Sequence, residues 1–225
     1  IFKGGGIARI SGHVEGATAL SGIITATVRD SRELITCRLN DATEADSAFQ
    51  YYDRTKVLFN GADSIKTGKF AFSFAVPKDI NYSDGTGLIN LYAVNNDKTI
   101  TANGHSDHFK VGGSDVADND SIGPAIYCYL NSPSFENGGN VNTTPYFVAQ
   151  VKDENGINVT GSGIGHNLEL IIDGKATMTY NLNDNFNCDF GTYKSGTTYY
   201  NIPELTEGRH KLQFRAWDIL NNSST

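Results

Sequence analysis

Chemistry in this chain would have to come from five histidines, three cysteines and a set of aspartates. His105 and His108 flank Asp107 in a Gly/Asn-rich segment, but a metal centre there lacks a third and fourth ligand at telling spacing. His13 and His210 are expected on strands, with no acid or nucleophile nearby in sequence. His166 closes a glycine-rich stretch, where it is expected to bond backbone groups. Cys37, Cys128 and Cys188 are an odd number without CxxC or zinc spacing, and a disulfide between two of them stays open. Cys37 and Cys128 fall in apolar runs and read as small buried hydrophobes, while Cys188 sits in a polar, Asn-rich turn. A Cys–His dyad needs an exposed thiol beside a base, and none is suggested.

The aspartates are more informative. Asp118, Asp120, Asp153 and Asp218 are calcium candidates, because a hard cation takes six to eight oxygens of the kind carboxylates and loop carbonyls supply. The competing reading is that Asp and Asn cap turns, and it is preferred, so no metal and no cofactor is assigned.

These residues cluster around the stretch from Val151 to His166, expected to be a shaped loop between strands. Asp153, Asn155 and Gly156 form its first turn. Gly161, Gly163 and Gly165 then alternate, and His166 leads into the next strand. The expectation is that Asp153 and Asn155 bond the loop's amides, that its glycines take restricted φ, and that Trp217 and Asp218 lie beside it. Gly-x-Gly-x-Gly leading into a strand is no phosphate cradle, which needs a helix N-terminus behind it.

The elements that would position these groups are strands. Lys69 to Val76 carries Phe70, Phe72 and Phe74 on one face, the period of two of a half-buried strand. Other expected strands are 7–14, 22–29, 33–39, 88–93, 125–130, 146–151, 167–172, 175–182, 198–202 and 208–218. A loop or one helical turn is expected over 40–48. No stretch has helical period. The polar run from Ser114 to Pro124, ending in Gly-Pro, marks a boundary. The fold class is therefore all-β, with two tandem immunoglobulin-like β-sandwich domains over 1–117 and 118–225. The second is expected to be truncated, because the ends read as cuts from a longer protein.

Net charge is −7 over 225 residues, unevenly shared: 12 basic against 13 acidic residues up to Ala117, and 6 against 12 from Asp118 on. Neither half has the basic surface a phosphate backbone requires, so nucleic acid is not a partner. No run of 18 apolar residues exists, so nothing spans a membrane as a helix.

Several motifs in order resemble a known family. They are Gly68-Lys-Phe-Ala-Phe-Ser-Phe-Ala-Val-Pro-Lys-Asp-Ile80, Tyr92-Ala93, Ala102-Asn-Gly104, Phe109-Lys-Val-Gly-Gly113, Asp118-Asn-Asp-Ser-Ile-Gly-Pro124, Asp153-Glu-Asn-Gly-Ile157, Gly163-Ile-Gly-His166, Ala216-Trp-Asp218 and Asn221-Asn-Ser223. The set resembles the β-domain region of the type IX secretion sortases, in the gingipain-like cysteine peptidase family. The resemblance implies a parent at the cell surface, on the extracellular face of the outer membrane of a Gram-negative bacterium. It also implies a Cys–His peptidase domain upstream. The parent would remove a secretion signal from cargo and help attach the cargo to the surface. None of the three cysteines matches the family's nucleophile, so no catalytic residue is carried over. The implied partners are the peptidase domain of the same polypeptide and secreted cargo or other type IX components. The alternative is a cell-surface adhesin or glycan-binding module, with Tyr193, Tyr199 and Tyr200 as stacking residues.

Overall fold

The computed structural model describes residues 1–41, 43–115, 119–161 and 165–225. Asp118 and Gly163, both named above, lie outside the described residues.

The phenylalanine strand nucleates the first half. β2 (Ile7–His13) pairs antiparallel with β7 (Lys69–Ala75), setting Ile10 opposite Phe72. Facing them is a four-stranded sheet of β6 (Val57–Ile65), β3 (Gly22–Arg29), β8 (Leu88–Asn95) and β9 (Thr101–Ser106), in that order. The inward residues Ile24, Ala26 and Val28 of β3 meet Phe70, Phe72 and Phe74 of β7 in one apolar cluster. Phe59 of β6 stacks on Phe72 at 5.7 Å and on Phe74 at 5.2 Å between centroids. β1 (Phe2–Gly4) and β10 (Val111–Ser114) close one side as a parallel pair. β4 (Glu33–Thr36) and β5 (Gln50–Asp53) form a separate two-stranded arm.

In the second half, β11 (Ala125–Leu130), β12 (Tyr146–Lys152), β16 (Ser195–Asn201) and β15 (Asn187–Cys188) form one sheet. β14 (Thr179–Asn181), β13 (Glu169–Ile172), β17 (Leu212–Trp217) and β18 (Ser223–Ser224) form the other. Alternation places Phe147, Ala149 and Val151 of β12 against Leu170, Ile172 and Phe214 in a second core. Two facing sheets in each half make the protein all-β, as expected.

Several expected elements differ in detail. The strand over 33–39 stops at Thr36, and Cys37 and Cys128 are exposed. Cys37 projects from the arm, which has no core beneath it; β11, which carries Cys128, is an edge strand. Cys188 is the one that packs, between both apolar clusters, and all three thiols are free. The segment holding His105 is a strand, paired with β8, rather than a loop. Residues 176–178 form a 3-10 turn, which shortens the strand expected over 175–182. His210 precedes β17 and bonds Asp173 Oδ2 at 2.9 Å.

Candidate functional site

The Asp-Glu-Asn-Gly turn after β12 is built by its own aspartate. Asp153 Oδ1 accepts the N–H of Asn155 at 2.7 Å and of Gly156 at 3.1 Å. Gly156 has φ +111, and a side chain there would meet Tyr193 at 3.0 Å and Ala75 Cβ at 3.1 Å. Only glycine satisfies both the conformation and the close approach. The expectation that Asp153 and Asn155 bond the loop's amides holds for Asp153 at the first turn, while among the described residues Asn155 bonds none with its side chain. Asp153 serves its own turn, and Asn155 Nδ2 donates to Asp120 Oδ2 at 2.6 Å. The loop is held instead by the buried Asn158, whose Oδ1 accepts Thr160 N–H at 3.1 Å and Thr160 Oγ1–H at 2.8 Å.

The end of β17 runs alongside. Ile157 bridges Asp218, and Asn158 N–H donates to Trp217 O at 2.9 Å. The His166 ring lies 4.3 Å from the Trp217 ring, on which the Arg215 guanidinium also sits at 5.8 Å. Gly161 has φ +59 and Gly165 φ +88. Among the described residues His166 bonds no backbone group with its ring, contrary to expectation. Its Nδ1 donates to Asp79 Oδ2, a carboxylate of the first half, at 2.7 Å.

Asp79 is the residue that sequence reasoning missed. It follows β7 in a Pro-Lys-Asp exit that reads as an ordinary loop. Besides His166 it accepts from Asn158 Nδ2 at 2.8 Å and from Asn221 Nδ2 at 3.3 Å. Lys78 N–H adds a bond to Ile219 O at 3.1 Å, and Ala75 packs with Ile219 and Leu220. One carboxylate thus gathers three side chains from the second half into a junction.

On the far side of this turn, Asp120, Asp153 and Asp218 bring oxygens within 4.8 Å of one another. These are three of the four calcium candidates, and their oxygens are of the type a hard divalent ion takes. Amides already occupy them. Asp218 Oδ1 accepts Leu220 N–H at 2.9 Å and Asn222 N–H at 2.7 Å, and Oδ2 accepts Asn222 Nδ2 at 2.7 Å. Asp120 Oδ1 accepts Ile122 N–H at 3.0 Å. Burial, first, and then the like charges of Asp218 and Asp120 push the Asp153 carboxyl above the usual carboxylate range.

Burial pushes the Cys188 thiol up to about 12. Partial burial of its inner side also raises Cys128, although its edge strand leaves it exposed. Of the tyrosines named for sugar stacking, Tyr193 is packed between the cores and Tyr200 leans on Tyr180 at 4.7 Å. Tyr199 alone is exposed, beside Tyr146 at 5.9 Å on the outer face of β12 and β16.

Fold and junction together define a pair of tandem β-sandwiches joined through polar turns. Among solved structures, the chain is similar to a crystal structure of dimeric latent PorU from Porphyromonas gingivalis, with 38 % identity and a TM-score of 0.52. The match covers 99 % of this chain and 21 % of that chain, so the chain spans about a fifth of the protein it resembles. The likeness read from the ordered motifs therefore extends over the whole sequence. No family model matches the chain. No curated protein matches it either.

Proposed function

We propose that the chain is a non-catalytic accessory β region of a gingipain-like cysteine peptidase that acts as a sortase in type IX secretion. Its task is to dock the peptidase domain of the same polypeptide, or secreted cargo, at the outer face of the outer membrane. The observation that carries this reading is the 38 % identity to PorU along 99 % of the chain. The packing of Cys188 between both apolar clusters supports a non-catalytic role for that thiol. The purified protein, incubated with Arg and Lys peptides and with signal-bearing cargo, should cleave none of them. Cleavage abolished by substituting Cys37, Cys128 or Cys188 with Ala would overturn the non-catalytic assignment. The immobilised protein should retain the peptidase domain or the cargo, and retention of neither would overturn the docking role.

A second reading, a glycan-binding surface module, has one observation in its favour. Tyr127, Tyr129, Tyr146 and Tyr199 share the outer face of β11, β12 and β16, with Tyr127 and Tyr129 at 5.7 Å. Aromatic faces of this kind suit sugar rings. Saturable glycan binding lost in Tyr199→Ala would establish it.

A further inference from the structure

A cleft lies away from the aspartate turn, where the outer face of β3, β6 and β8 meets the arm and the second half. It encloses about 820 Å³, inside the range of roughly 300–1,000 Å³ typical of ligand sites. Arg29, Arg32 and Arg54 all line it. Among the described residues none of the three is ion-paired with a carboxylate; the one arginine that is so paired is Arg215, with Glu169. Arg29 Nη1 donates to Arg54 O at 3.1 Å, and Arg54 Nη2 to Thr86 O at 3.3 Å, which holds two of the guanidiniums in place.

Two buried donors on residues that line this cleft lack an acceptor among the described residues. They are Arg54 Nε and the Nδ2 of Asn183, a residue only 9 % exposed. Asn183 uses its Oδ1 to accept Leu168 N–H at 2.9 Å, which fixes the amide with its N–H₂ left over. A buried donor without an acceptor costs about 1–3 kcal/mol, and both atoms are enclosed by protein, so an oxygen entering the cleft meets them only as the lining side chains shift.

Charge selects the ligand. Asp53 and Asp184 also line the cleft, and Asp53 Oδ1 is engaged by Arg54 N–H at 2.7 Å. Three guanidiniums against two carboxylates leave one net positive charge, which matches a single carboxylate and disfavours a phosphate dianion or a polyanion. The remaining walls are Tyr52, Val57, Leu88, Val159 and Phe186, with the polar Thr27, Thr55 and Asn60. Mixed walls with both donors and acceptors suit a peptide, which carries both.

We infer that this cleft binds a peptide segment through one carboxylate, held by Arg29, Arg32 and Arg54 with Asn183. The inference goes beyond the accessory-domain reading and does not rest on it, since it follows from three arginines, without a carboxylate partner among the described residues, that line one cleft. Planar guanidinium forks match carboxylate geometry bidentately, which makes arginine rather than lysine the fitting residue. The carboxylate could belong to a Glu or Asp side chain or to a peptide's free C-terminus, and these differ only in what carries it.

The test is a titration of the ¹⁵N-labelled protein, read at the Arg54 Nε–H and Asn183 side-chain amide resonances at constant ionic strength. The probes are N-acetyl-Ala-Ala-Glu-Ala-Ala-amide, its Gln counterpart, N-acetyl-penta-alanine with a free C-terminus, and inorganic phosphate. Both signals should shift saturably with at least one carboxylate peptide and stay still with the Gln peptide. Comparing the two carboxylate peptides separates a side-chain source from a terminal one. Arg32→Gln should weaken binding about tenfold or more, as expected for a bond to a charged group. Arg32 is exposed and its side chain makes no hydrogen bond among the described residues, so this variant keeps the fold even if Arg54→Gln does not. The inference is overturned if neither carboxylate peptide gives saturable shifts, if the Gln peptide or phosphate binds as tightly, or if Arg32→Gln binds like the parent.

Discussion

Asp79 and His166, 87 residues apart, meet at 2.7 Å, and this contact ties the exit of the phenylalanine strand to the end of the glycine loop. The same carboxylate oxygen accepts from Asn158, so one acceptor of the first half serves two donors of the second. Because the His166 ring also lies beside Trp217, the end of β17, just before Asp218, meets the same junction.

Asp79→Ala should therefore weaken the junction more than a surface substitution would. It strips the buried Asn158 amide of its acceptor, a loss of about 1–3 kcal/mol. Urea unfolding followed by Trp217 fluorescence measures it, since the single tryptophan reports on this junction. An unchanged midpoint would show that the apolar contacts of Ala75 with Ile219 and Leu220 suffice to hold the halves together.

Phe72→Ala tests the first core. Phe72 is buried, opposite Ile10 in register and stacked on Phe59, so its removal should cost about 3–5 kcal/mol. A denaturant midpoint equal to the parent's would contradict the inward face assigned to β7.

The strands and both cores were legible because period-two alternation is dictated by the pleat: Phe70, Phe72 and Phe74 cannot all leave one face. The Asp-Glu-Asn-Gly turn and its neighbour Trp217 were legible for a related reason, since turn chemistry is local. Burial of the cysteines was not. An apolar run reads the same whether the strand is central or at an edge, and Cys37 and Cys128 lie in an unsupported arm and an edge strand. Asp79 and the arginine cleft were illegible because their partners are brought together by how the halves pack, which no local pattern encodes.

Gly161→Ala should destabilise the protein by roughly 1 kcal/mol, because φ +59 is strained for a residue with a Cβ. The added methyl would also sit 3.3 Å from Asn183 Cβ and press on the cleft's amide. Thermal melting gives the cost. A rise in melting temperature would mean the backbone is extended at this position.

His210 and Asp173 give a pH signature. The Thr206 carbonyl, first, and then Asp173 raise His210 above its ordinary value, while the His210 bond holds Asp173 below the usual carboxylate range. The histidine's contribution to stability is present below 6.5 and lost as pH rises through its raised value. The aspartate's is present above 3.8 and lost as pH falls through its lowered value. Stability from the pair is thus greatest between those limits. A ¹H–¹⁵N titration of the imidazole should show a lower His210 midpoint in Asp173→Asn, and an unmoved midpoint would assign the shift to Thr206 alone.

The Asp120–Asp153–Asp218 trio sets two buried carboxylates beside a third, and each is capped by amides. Asp153→Asn keeps an oxygen for the N–H groups of Asn155 and Gly156 and removes one of three like charges. Because the folded-state value of Asp153 is raised, the stability linked to its proton is present below 3.8 and lost as pH rises through the raised value. At neutral pH, with EDTA present, the Asn variant should therefore be more stable, by about 1 kcal/mol or roughly 2–4 °C in a protein of this size. The measurement is thermal melting of parent and variant, each in EDTA and in calcium chloride. If the carboxylates instead serve a cation, calcium raises the parent's midpoint and leaves Asp153→Asn unmoved. A variant less stable than the parent in EDTA would refute charge relief and assign Asp153's second oxygen a structural role of its own.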